Sequence, residues 1–490
     1  MKLICTLIFI VQLTGSAQSQ TAQTSQTTPP APSAPRSVSF PKPVEQTLPN
    51  GLRVIVVERH NTPLVTALLV IKNGGEVDPV ELAGVADLTA NLLTKGTSTR
   101  TATRIAEEVE SLGGELESSA RWDATTVSVG VMSEKISPAM AILSDVVQSP
   151  TFKSEEIERL RQQYIDSLTL SLDEPSSIAR FVSAKVLYGD GLYGHPLQGT
   201  LESLKRISRP DISKIHRLFY RPDNAILVIG GDISAEAGFT LAKRFFGYWP
   251  KPMNRIPVPL ATTTIEHHAS GRVLVIDKPD AGQAAVYLIR RGIDRRNPDY
   301  YRGIVTNSVL SGYSGRLNQE IRIKRGLSYG AGSSLDPRRN IGPFVATAQT
   351  KNESGAEVAG LLINEVERLV TSPPAESELT PRKSVLIGEF SRQLETVNGL
   401  VSRISSLALY GLSLDEINHY IENVQLINSA DVQKFASTKL DAKSSDIIIV
   451  GNSKAFLPEL QKRYGNVEVI PFAQLDLNTR LLRKKQTASR

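Results

Sequence analysis

Landmarks in this chain recur at an interval of about 220 residues, so one supersecondary unit is built twice. An apolar run ending at Ile71, a turn, Pro79 and Leu92-Leu93 match a run ending at Ile289, a turn, Pro298 and Val309-Leu310. Further along, Ser149-Pro150 matches Ser372-Pro373, and the stretch from Ile226 to Gly230 matches that from Ile447 to Gly451. Four landmarks in the same order describe two halves of one design.

Each half mixes strands and helices. In the first, Val54 to Val57 follows the turn Pro49-Asn50-Gly51, and Val65 to Ile71 follows Pro63, which gives two strands. Val85, Leu88 and Leu92 then fall at helical spacing, as do Ile105, Val109 and Leu112 before Gly113-Gly114. Val127, Val129 and Val131 alternate with small or polar residues, the period of a strand with one buried face. Ile157, Leu160, Tyr164 and Leu168 mark a longer helix from Ser154 to Leu172, closed before Pro175. The fold class is α+β.

The ends of the chain read differently. Residues 1–19 carry one Lys, an apolar run from Leu3 to Leu13 and then small residues, the pattern of a secretory signal peptide. The run is too short for a membrane span, which needs about 20 residues, so no stable membrane anchor is expected. Cys5 is the only cysteine and leaves with the signal, so disulfides and thiolate zinc sites are excluded from the rest. Residues 20–40 form a Pro/Ser/Thr/Gln-rich linker, 41–251 the N-terminal domain, 252–270 a second linker, 271–475 the C-terminal domain and 476–490 a basic tail expected to be solvated. With 56 basic and 50 acidic side chains the excess positive charge is mild, and no nucleic acid partner is expected. Export without a disulfide framework points to the bacterial periplasm.

Five phrases carry a family resemblance: the segments from Leu48 to Val57, Gly84 to Thr97, Tyr193 to Thr200, Phe219 to Ile233 and Gly315 to Gly330. With the order of elements, they make the chain resemble the pitrilysin or insulinase family of metallopeptidases over about residues 40 to 455. The resemblance implies two homologous α/β-roll half domains, each a mostly antiparallel sheet packed with helices, which enclose a cavity together with a partner.

Active members of that family carry an inverted zinc motif, His-x-x-Glu-His, with two imidazole ligands and a Glu as general base. The matching positions here are Asp87, Ala90 and Asn91. Asp87 offers an oxygen, but an Asn amide is a poor zinc ligand and Ala90 accepts no proton. Loss of a general base alone costs roughly 10²- to 10⁴-fold. The family's third ligand, a Glu on a later helix, matches Ser167, with Asp166 beside it. No metal ligand is assigned and no cofactor is expected on this chain. His419, in His419-Tyr420-Ile421-Glu422-Asn423, imitates the motif but lacks the second His; His195 and His267-His268 form no ligand set. Neither a Gly-x-Ser-x-Gly elbow nor a phosphate loop occurs.

The family's second half supplies an Arg and a Tyr that hold the substrate backbone, and these match Arg322 and Tyr329. A guanidinium and a phenol are strong donors to a peptide carbonyl as it gains charge. The resemblance therefore implies the zinc-less subunit of a two-gene, processing-peptidase-like pair: an exported chain that binds extended peptides and completes the site of a partner bearing intact His-x-x-Glu-His and the zinc. Substrate capture in the family uses an exposed sheet edge, here Glu115 to Thr125, where Trp122 reads as a core anchor or else a pocket wall; the loop Ser311 to Gly315 matches a flexible glycine-containing loop, or is a plain turn. Two rivals stand beside this reading: a structural scaffold of the same fold, and a self-contained peptidase using unusual ligands through Asp87.

Overall fold

Both halves fold into six-stranded sheets of matching strand order. The computed structural model describes residues 40–259 and 271–484. Residues 1–19, read above as a signal peptide, residues 20–39 and 260–270 of the two expected linkers, and residues 485–490 lie outside the described residues.

The first sheet comprises β1 (Val44–Thr47), β2 (Arg53–Glu58), β3 (Leu64–Ile71), β4 (Glu115–Ala120), β5 (Thr125–Met132) and β6 (Ala225–Gly231), in the order β1-β2-β6-β3-β5-β4. The second comprises β7 (Val273–Asp277), β8 (Ala284–Arg291), β9 (Ser328–Leu335), β10 (Pro343–Thr350), β11 (Asp446–Gly451) and β12 (Glu468–Pro471), in the order β12-β7-β11-β8-β10-β9. Pairing is antiparallel except for β2 with β6 and for β7 with β11 and β12. The halves differ at one margin. In the first that strand precedes the sheet in sequence, and in the second it follows it.

The apolar patterning explains how the sheets are covered. In β2 and β3, consecutive residues are buried, so both faces must be shielded. Val54, Val56, Ala67 and Leu69 face one core, whereas Ile55, Val57, Leu68 and Val70 belong to the other. The second cover comes from the opposite half. Helix Val397–Leu409 lies on β3 and β6, bringing Leu400, Val401 and Ile404 against Val57 and Val228. Reciprocally, helix Pro175–Tyr188 lies on β8 and β11, bringing Ile178 and Val182 against Ile289 and Ile448. Each half thus completes the core of the other, and the chain from Phe40 onward is one unit.

The borrowed helices do not reach the sheet margins. In β5, Val127, Val129 and Val131 are buried and alternate with half-buried residues, and in β4 Glu115, Glu117 and Ser119 are exposed. Among the described residues, both β4 and β9 therefore end their sheets with one uncovered face and an unpaired edge.

Two of the segments that carry the family resemblance meet at the helix Val85–Leu92. Gly84 caps it in a left-handed conformation (φ 92°), and a Cβ there would lie 2.6 Å from the Gln198 carbonyl oxygen. Asp78 receives the Gly84 and Ala86 amides, at 2.7 and 2.9 Å, which places a carboxylate at the helix N-terminus. The start of the C-terminal segment corrects the solvated-tail expectation. Leu477 and Leu482 are buried in the first core, and the Thr200 hydroxyl donates to Asn478 across 2.7 Å. Basic residues dominated the reading of that segment, but its leucines anchor it as far as Lys484.

Candidate functional site

On helix Val85–Leu92, Asp87 and Asn91 lie one turn apart and share a face. The Asn91 amide donates to the Asp87 carbonyl at 2.9 Å and to Oδ1 of its carboxylate at 3.3 Å. From helix Ser154–Ser171, the Tyr164 hydroxyl donates to Oδ2 at 2.9 Å. Asp87 is only 6% exposed, and burial pushes its carboxyl up to about 6, partly offset by these hydrogen bonds and one from the Ala120 backbone. The same burial, with Asp87 beside it, pushes the Tyr164 phenol up from its ordinary value.

Zinc does not fit these residues. Both Asp87 oxygens already accept hydrogen bonds, Asn91 presents an N–H to Asp87, and Ala90 is fully buried with its carbonyl receiving the Ser118 hydroxyl of β4 at 2.6 Å. Ser167 is exposed, as is Asp166, whose carboxylate accepts from Gln162 at 2.8 Å. No three His, Cys, Asp or Glu side chains gather as a metal-holding group among the described residues. His419 sits exposed between Asp415 and Glu422, at 3.0 and 3.4 Å.

The second half arranges its pair differently. Arg322 lies in a π-helical turn, Asn318–Lys324, which packs against β9, the strand that carries Tyr329. Irregular turns of this kind recur at functional sites. Opposite β10 the register shifts between Ala348 and Thr350, leaving a β-bulge at Tyr329-Gly330. The Ser328 hydroxyl ties off the bulge, accepting the Gly330 amide at 3.0 Å and donating to its carbonyl at 2.6 Å. A bulge re-aims the side chain it carries, and Tyr329 is 89% exposed.

Charge pairing singles out Arg322. Arg316 forms a two-pronged pair with Glu378 at 2.7 and 2.8 Å, and Lys324 and Arg325 share Glu320 at 2.9 and 3.1 Å. Arg322 is exposed and has no carboxylate partner among the described residues; its guanidinium carbon lies 5.5 Å from the ring centre of Tyr313. No hydrogen-bond acceptor for its N–H donors is found among the described residues.

No hydrogen bond or ion pair among the described residues links Asp87, Asn91 or Ser167 to Arg322 or Tyr329. A separate polar junction joins the halves. Asp123, in the β4–β5 turn, accepts from the Tyr193 hydroxyl (2.6 Å), the Arg339 amide (2.7 Å) and the Tyr410 hydroxyl (3.2 Å). Trp122 sits beside this junction, partly buried, edge-on to Tyr193 and His195 and with the Arg338 guanidinium 4.8 Å from its ring centre. The sequence reading missed the hydroxyl roles of Tyr164 and Tyr193 and the ring of Tyr313. Tyr164 carried only a helix-spacing signal, and Tyr313 only its place between two glycines.

Comparison with known proteins places this architecture. The insulinase (peptidase family M16) model matches residues 53–192, and the peptidase M16 inactive domain model matches residues 206–386. An uncharacterized zinc protease of Mycobacterium leprae is 26% identical over 442 residues, covering 89% of this chain and 94% of the relative. Among solved structures, a peptidase M16 inactive domain from Pseudomonas fluorescens superposes with a TM-score of 0.77 at 25% identity, over 84% of this chain and 98% of that one. The periplasmic protease PqqL of Escherichia coli shares the fold, with a TM-score of 0.68 at 17% identity, over 89% of this chain and 51% of that longer one. With both halves matched in order, the chain belongs to the insulinase family of M16 peptidases.

Proposed function

We propose that this chain is the zinc-less, substrate-holding subunit of a two-chain metallopeptidase. Arg322 and Tyr329 donate to the backbone carbonyl of an extended peptide, and a second family member with intact His-x-x-Glu-His supplies the zinc, the water and the general base. Oxyanion donors act on a bond only when a nucleophile stands opposite, so catalysis belongs to the pair. The carrying observation is the contrast between the two halves. The Asp87–Asn91–Tyr164 cluster is internally satisfied, whereas Arg322 is exposed and without a carboxylate partner among the described residues, on a turn packed against the strand that carries the bulged, exposed Tyr329. The unpaired edge of β4 offers backbone groups to which an extended peptide adds as a strand.

The signal-peptide reading of residues 1–19 places the pair outside the inner membrane, in the periplasm, and the periplasmic location of the Escherichia coli protease PqqL accords with it. Co-expression with a family subunit bearing the intact motif tests the proposal. The expected result is a stable complex that cleaves unfolded peptides while this chain alone does not. A complex that forms but is inert would instead support the scaffold role. Stoichiometric zinc in this chain alone, removed by a chelator together with its activity, would overturn the assignment.

A further inference from the structure

We infer that Tyr313 is a positioning residue that holds the Arg322 guanidinium through a cation–π contact, an inference that rests on the peptide-holding reading of Arg322. Tyr313 is 71% exposed. Its loop is well secured. The Tyr313 carbonyl accepts from the Asn318 side chain at 2.6 Å, the Gly315 amide donates to the Gly312 carbonyl at 3.0 Å, and Arg382 donates to the Ser311 carbonyl at 3.3 Å. The Ser311 hydroxyl oxygen in turn accepts the Ser333 amide of β9 at 3.2 Å, so the loop is tied to the strand that carries Tyr329. Gly312 takes a left-handed conformation (φ 85°), and a Cβ at Gly315 would lie 2.1 Å from the Ser311 carbonyl oxygen, so the two flanking glycines permit this tight path.

The ring meets Arg322 at 5.5 Å, within the range of a cation–π contact. Arg322 has no carboxylate partner among the described residues, so the cation–π contact with Tyr313 is the one that restrains it. A ring supplies no carboxylate oxygen to the guanidinium, so its N–H donors stay available to a peptide carbonyl. A carboxylate partner would have occupied those donors. The π-helical turn beneath Arg322 and the loop beneath Tyr313 are joined through Asn318, so ring and guanidinium are presented by one connected piece of backbone.

The test uses the full chain with Tyr313→Leu and Tyr313→Phe, the second retaining an aromatic face. Site-resolved phenylglyoxal labelling reads how well Arg322 is shielded, and fluorescence anisotropy with a labelled unstructured casein fragment reads peptide binding. Tyr313→Leu is expected to speed labelling of Arg322 and weaken fragment binding about two- to five-fold, the size of an exposed cation–π contact, while Tyr313→Phe matches the parent in both. In an Arg322→Ala background, Tyr313→Leu is expected to cause no further loss of binding. Unchanged labelling in Tyr313→Leu, or an equal loss of binding with and without Arg322, overturns the positioning role. Faster labelling combined with parent-like binding by Arg322→Ala shows that the cation–π contact exists but that Arg322 does not hold peptide, which overturns the peptide-holding reading and the purpose assigned to Tyr313 with it.

Discussion

The Tyr164 hydroxyl donates to Oδ2 of Asp87 across 2.9 Å, joining helix Ser154–Ser171 to helix Val85–Leu92. That bond, with the Asn91 amide on Oδ1, leaves the carboxylate buried with no cationic partner among the described residues. The arrangement is a closed polar cluster with measurable consequences for stability.

Asp87 titrates near 6 when folded, against about 4 in an unfolded chain. A raised folded value means that its contribution to stability is present below about pH 4 and is lost as the pH rises through 6. Asp87→Asn removes the titrating carboxyl, at the cost of replacing one acceptor oxygen by an N–H donor. Urea unfolding is expected to show the parent losing roughly 2–3 kcal/mol relative to the variant between pH 4 and pH 7. A difference that stays constant across that window would contradict the burial assigned to Asp87.

Asp123 gathers three donors from both halves: Tyr193, the Arg339 amide and Tyr410. Asp123→Ala leaves the buried Tyr193 hydroxyl without its acceptor and is expected to cost about 2–4 kcal/mol, with Asp123→Asn closer to the parent. Denaturant unfolding measures both, and a loss below about 0.5 kcal/mol for the alanine variant would show that the junction is idle.

Exchange of covering helices makes the halves interdependent. Ile404→Ala, on the helix that covers the first sheet from the second half, is expected to destabilise the whole chain by about 2–5 kcal/mol in one cooperative transition. Residues 41–251 expressed alone would expose one face of β2, β3 and β6 and are expected to lack cooperative unfolding. A sharp unfolding transition in that fragment would refute the interdependence.

The repeat was legible because the strand runs ending at Ile71 and Ile289, and those ending at Gly230 and Gly451, lie in equivalent sheet positions. The contrast between the continuous run Val54–Val57 and the alternation at Val127, Val129 and Val131 likewise records two covered faces against one. Other features had no one-dimensional signal. Asp123 and Arg339 meet across the two halves, Tyr164 looked like any apolar helix residue, and nothing in the spacing of Arg322 and Tyr329 distinguishes a π-helical turn and a bulge from regular elements. The leucines of the C-terminal segment were obscured by their basic neighbours, although Leu482 is fully buried.

Arg322→Ala and Tyr329→Phe bear most directly on the division of labour proposed for the pair. Both side chains are exposed, so the fold is expected to tolerate the changes. Peptide turnover by this chain combined with a subunit bearing His-x-x-Glu-His is the decisive measurement. Loss of a donor to the developing oxyanion is expected to lower turnover about 10²- to 10³-fold for Arg322→Ala, and turnover is expected to fall for Tyr329→Phe, with the complex still assembled. Undiminished turnover in both variants would contradict the account.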